Sequence, residues 1–154
     1  MSDPIDETVP ALDVTAAKTR SLALIQQLLD RIPVIDLAPI DAQPAAVGAV
    51  ARTLHPGRLP GMKRYPGTAA KAVLNTRVAE RGARELVDWL AIQPRWTQLE
   101  RYLDEEFPRF HSPDGYEVSV SVLRPTDGYP MVCINVVSPD FVPPASHHQA
   151  IHRY

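Results

Sequence analysis

Cysteine is almost missing from this chain: Cys133 is the only one in 154 residues. That excludes an internal disulfide framework and any zinc site built on two or more thiolates. Aromatic side chains are few and late. Tyr65 is the only one before Trp89, and Trp96, Tyr102, Phe107, Phe110, Tyr116, Tyr129, Phe141 and Tyr154 follow. No apolar run approaches the ~20 residues of a membrane span, and Met1 to Pro10 is acidic where a secretory signal is basic and then apolar. The expected location is therefore the cytoplasm, without membrane contact. The spacings of a P-loop, a dinucleotide fingerprint and a hydrolase nucleophile elbow are all missing, and so is any solenoid repeat. No motif calls for a cofactor.

What is present is one domain's worth of chain, with 45% apolar and 22% charged residues. Folding at this length buries roughly 70% of the surface of the open chain, enough for a core without disulfide or metal. The net charge of −2 hides a segregation. Residues 1–50 carry 3 Lys/Arg and 7 Asp/Glu, residues 51–84 carry 8 and 1, and residues 85–154 carry 5 and 10. Such polarity bears on partners and association, not on fold. Arginine outnumbers lysine 13 to 3, a bias that says nothing about chemistry.

Sixteen prolines are about twice the average share. Pro33, Pro39, Pro44, Pro56, Pro60 and Pro66 crowd one stretch, each removing an amide donor and pushing its predecessor towards extended geometry. One domain over 1–154 is expected, with a mobile 1–12, an irregular 33–67, a stable core over 69–137 and an extended tail over 138–154. Because large aromatics dominate core energetics, that nucleus should lie in the second half.

The spacing of Ala17, Ser21, Leu24, Ile25, Leu28 and Ile32 predicts a first helix, capped by Asp13 or Thr15 and ending near Arg31 before Pro33. Val34 to Leu37 reads as a short edge strand, and Pro44 opens a small helix with Val47, Val50, Ala51 and Leu54 on one side. Three Pro-Gly pairs make 55–67 a loop. Thr68 then reads as the cap of a long helix to Gln93, with Leu74, Val78, Gly82, Leu86 and Leu90 in one row. A further helix is expected from Pro94 to Phe107, gathering Trp96, Leu99, Tyr102, Leu103 and Phe107. Tyr116, Val118, Val120 and Val122 alternate with Glu117, Ser119 and Ser121, the period of a half-buried strand, and Tyr129 to Val137 is its partner. The expected fold class is α+β: a small two-layer domain with a C-terminal antiparallel hairpin packed on two helices, a third strand beside it, and a helical, proline-rich N-terminal half.

Four groups of residues bear on function. Arg52, Arg58, Lys63, Arg64, Lys71, Arg77, Arg81 and Arg84 surround a single acid, Glu80, and a glycine-containing loop leading into a helix presents amides and cations to an anion. Tyr65, beside Lys63 and Arg64, suits stacking on a base. The competing reading is a solvated face or pairing with the chain's own acids. His147, His148 and His152 have a weak zinc or copper spacing, set against an ordinary polar tail. Cys133 should share a strand face with Met131 and Asn135 as a small buried thiol, and Asp104, Glu105 and Glu106 at a helix end invite a cation such as Arg109.

The first functional reading is a non-enzymatic interaction or assembly component of a multi-subunit complex, in which 33–67 lies on another protein subunit, itself or a different one; a viral particle is one such context. The second is a nucleic-acid or phosphate binder using the basic 51–84 block, with Arg52, Arg58, Lys63, Arg64, Tyr65, Lys71 and Arg77 as contacts. The third is a small enzyme using His111 with Asp114 or Glu117.

Overall fold

The computed structural model describes residues 12–44 and 54–143. Arg52, the stripe of Val47, Val50 and Ala51, and His147, His148 and His152 lie outside the described residues.

Asp13 starts the first helix, α1 (Val14–Leu29), by accepting a hydrogen bond from the Ala16 amide at 2.8 Å. Its buried face is Ala17, Ser21, Leu24, Ile25, Leu28 and Leu29, close to the stripe read from the sequence. After Pro33 the chain forms two tight 3-10 turns, Val34–Asp36 and Ile40–Ala42. The edge strand expected at Val34 to Leu37 is thus a turn, leaving one antiparallel bridge, Leu37 with Val73. Gln43 completes this attachment: its amide nitrogen donates to Ala72 O at 2.9 Å and to Ala38 O at 3.0 Å, and its oxygen accepts from the Ala72 amide at 2.9 Å.

The loop expected over 55–67 contains a two-residue strand pair, β1 (His55–Pro56) with β2 (Lys63–Arg64), and the start of β3 (Pro66–Ala72). Here the sequence reading needs its main correction. Residues 68–75 are not the first turns of a helix; β3 is a sheet strand, and α2 runs only over Thr76–Ala91. Asn75 is the true cap, its side chain accepting from the Val78 amide at 2.9 Å. Asparagine outranks threonine at such a position, and the buried row Ala79, Ala83, Leu86, Val87 and Leu90 begins only after it. Alanine-rich 69–72 has no local preference for a strand; what places it there is the partner strand.

No helix occupies 94–107 either. Arg95 takes a positive φ of 66°, Thr97–Gln98 forms the short strand β4, and Tyr102 and Leu103 are exposed. The physical reason is Arg109, around which this segment wraps. Its guanidinium meets Glu105 at 3.1 Å and Glu117 at 3.1 Å, donates to Glu100 O at 3.2 Å, and lies 4.5 Å from the centre of the Tyr102 ring. A rigid five-donor fork draws acceptors from several directions, which a continuous helix could not supply. The acid run does meet cations as expected, Glu105 through Arg109 and Glu106 through Arg124 at 2.8 Å, although it ends no helix.

The hairpin is present: β6 (Glu117–Leu123) pairs with β7 (Met131–Val137), with Val120 opposite Ile134. With β5 (Phe110–His111), the five strands take the order β3-β7-β6-β5-β4, all antiparallel. The chain is therefore α+β, with both helices against one face of the sheet, α1 on β3 and β7 and α2 on β6 and β7. Val118, Val120, Val132, Ile134 and Val136 point into that layer and are buried with Leu24, Ile25, Leu28, Leu86, Leu90 and Phe110. The second helix of the layer is α1, from the first half of the chain, in place of the expected 94–107 helix. Gly67 of β3 permits its close approach, since a Cβ there would sit 3.1 Å from the Ile25 side chain.

Candidate functional site

The basic block does not form one strip. Lys71 lies opposite Val132 in β3, on the helix-covered side of the sheet. Arg77 is exposed on the first turn of α2. Arg81 reaches Asp36 at 3.1 Å and Glu85 at 3.7 Å, and Arg84 stands 5.4 Å from the centre of the Phe107 ring. Lys63 is tied through its backbone to Phe141, with N–H to O distances of 2.9 and 2.8 Å. Tyr65 overturns its expected role. It is fully buried in a second small core with Ala17 and Phe141, so its ring is closed to a base. Burial also pushes its phenol above the ordinary range.

Two members of the block, Arg58 and Arg64, do meet, in a cleft of about 150 Å³ on the helix-free side of the sheet. Register explains the other walls: His111, Glu117 and Val137 are successive cross-strand partners and lie in one row. Asp140 closes the cleft. It accepts from the amides of Arg58 at 2.9 and 3.0 Å and of Leu59 at 2.9 Å. The Arg58 amide above all, helped by that of Leu59 and the charges of Arg64 and Arg58, holds its carboxyl below the usual carboxylate range. Glu117 is held by Arg109 at 3.1 Å and stands 3.7 Å from Arg58.

His111 and Glu117, the pair of the enzymatic reading, therefore share a cleft, while Asp114 does not join them. It pairs with Arg20 of α1 at 3.0 Å and accepts from the Ser112 hydroxyl at 2.6 Å. The Glu117 carboxylate is oriented by arginines, so it does not align the imidazole as a base's partner would. Cys133 does share its strand face with Met131 and Asn135, but that is the helix-free face of β7, so the thiol is partly exposed instead of buried as expected. Burial pushes its thiol up, with a smaller opposing effect from Ser121, the reverse of what an activated nucleophile needs. Among the described residues no cluster of three or more His, Cys, Asp or Glu side chains is placed to hold a metal ion.

A second feature was not anticipated from the sequence. Between the end of α1 and α2 runs a groove of about 400 Å³, walled by Ile32, Pro33, Leu86, Trp89 and Ile92 and edged by Arg31, Glu85 and Asp88. Arg31 lies 4.4 Å from the centre of the Trp89 ring. Beside it, the Val34–Asp36 turn carries Val34 and Ile35 at 84% and 83% exposure, and Ile40 follows at 91%. The signal was in the sequence: three aliphatic residues, Val34, Ile35 and Ile40, in a segment whose prolines leave too few residues for an element that buries them.

Comparison with family models, with curated proteins and with solved structures returns no match to this chain. Among the described residues no helix is long and apolar enough to cross a membrane.

Proposed function

We propose that this chain is a non-enzymatic interaction component of a multi-subunit assembly, docking another protein subunit on the aliphatic corner formed by Val34, Ile35 and the α1–α2 groove. The carrying observation is the exposure of Val34, Ile35 and Ile40 on a segment that is not loose. The Leu37–Val73 bridge and the three Gln43 hydrogen bonds hold it in place. Burying each aliphatic side chain is worth about 1.5–3 kcal/mol, so leaving three in water forgoes stabilisation that a partner would recover. A preformed apolar ridge next to a groove is the anatomy of an interface core, and the charged edge of Glu85 and Asp88 serves as its rim.

A nucleic-acid surface has less support, because the cations are spread over different faces of the domain and the aromatic residue meant for stacking is inside. The interaction reading is tested by the double substitution Val34→Asp with Ile35→Asp, which alters side chains already in water and should leave the unfolding midpoint nearly unchanged. Co-purification from the native source and light scattering over a concentration series are the readouts. The expected result is a stoichiometric partner, or a self-associated species, that the double variant loses. A wild-type chain that stays monomeric and emerges without a stoichiometric partner overturns the reading.

A further inference from the structure

The 150 Å³ cleft carries a separate inference, because its hydrogen-bonding capacity is one-sided. Its two carboxylates are already engaged, Asp140 by the turn amides of Arg58 and Leu59 and Glu117 by Arg109. Its donors are not. Arg64 donates through Nε to Pro56 O at 3.1 Å, and among the described residues its two terminal nitrogens and the His111 imidazole have no hydrogen-bond partner. Arg58 reaches Glu117 only at 3.7 Å. Two stretches far apart in sequence, the β1–β2 hairpin with Arg58 and Arg64 and β5 with His111, thus bring spare N–H groups to one small space. Arg58 and Arg64 offset Glu117 and Asp140, and Arg109 offsets Glu105, so formal charge balances and the unspent capacity of the cleft lies in its N–H donors.

We propose that this cleft binds a small tetrahedral oxyanion: inorganic phosphate or the terminal phosphate of a phosphomonoester. Planar guanidinium forks match phosphate oxygens in pairs, and charge-assisted bonds of this kind are the strong ones. The volume admits one phosphoryl group and is below the ~300 Å³ of pockets that enclose a drug-sized ligand, so a nucleoside would project outside. None of these residues belongs to the aliphatic corner, so the interaction reading and this one succeed or fail separately.

The test is an amide-resolved NMR titration of the full chain with inorganic phosphate at constant ionic strength, with acetate and O-phosphoserine as parallel arms. The expected result is a saturable set of shifts confined to residues near Arg58, Arg64, His111 and Glu117, with phosphoserine equal to or tighter than phosphate and acetate weaker. Arg64→Gln should weaken binding by about tenfold or more, as expected for loss of one charge-assisted pair; Arg77→Gln, outside the cleft, should not change it. His111→Asn provides the same reading if Arg64→Gln does not fold. Shifts that are linear, scattered or reproduced by chloride would overturn the proposal, and so would equal binding of acetate, or wild-type affinity in Arg64→Gln or, where that variant does not fold, in His111→Asn.

Discussion

Tyr65 and Ser21 each place a hydroxyl in the interior with no hydrogen-bond partner among the described residues. Both side chains lie against Gly67, where β3 meets α1. An unmet buried hydroxyl costs ~1–3 kcal/mol in lost hydration, so Tyr65→Phe, which keeps the ring, should raise stability by about 1 kcal/mol in urea unfolding. A fall of that size would instead reveal a partner for the hydroxyl. Asp114 shows the opposite situation. Partial burial raises its carboxyl, but the Ser112 hydroxyl and Arg20 outweigh that and hold it below the ordinary value. Its unfolded value is about 3.9, so the stabilisation is complete above that pH and declines as pH falls through the lower folded value. Across a pH series of unfolding midpoints, wild type should exceed Asp114→Asn by a constant margin from about pH 5 to 7, and the margin should shrink below about pH 4. A margin that persists to about pH 2 would remove Asp114 as the cause.

Among the elements, α2 is the one whose sequence departs from helix preference without structural need. Gly82 faces the sheet, and a Cβ added there would find Val132 at 3.7 Å, an ordinary contact. Glycine in a helix interior is about 0.5–1 kcal/mol worse than alanine, so Gly82→Ala should stabilise the protein by that amount, read from the urea midpoint. Destabilisation would mean that the α1–α2 groove, which Gly82 lines, needs the space that the absent side chain leaves. The hairpin β6–β7 was readable because its alternation is local and strict, and α1 because its cap and stripe agree. β3 was misread for a definite reason: Thr68, Ala69, Ala70 and Lys71 suit a helix at least as well as a strand. Only the hydrogen bonds offered by the free side of β7 decide between them. The 94–107 segment misled in a similar way, since its aromatic spacing matches a helical face while the actual organiser, Arg109, stands beyond its end.

At the level of the whole molecule, the two proposed surfaces sit on opposite sides of one sheet. The aliphatic corner lies with the helices, and the arginine-lined cleft lies on the helix-free side. Its Arg58 and Arg64 were identifiable from composition and its His111 and Glu117 as a separate candidate, but nothing in their spacing joined the two groups. Charge segregation, α+β class, the hairpin and the first helix were set by the sequence alone, because each depends on composition or on periods within a few residues. The strand identity of β3, the burial of Tyr65, the wrapping of 94–107 around Arg109 and the meeting of Arg58 and Arg64 with His111 were decided only by tertiary structure. The Arg109 contacts span up to nine residues without a helical period, and the others depend on cross-strand packing, which brings together groups tens of residues apart whose local sequences carry no sign of one another.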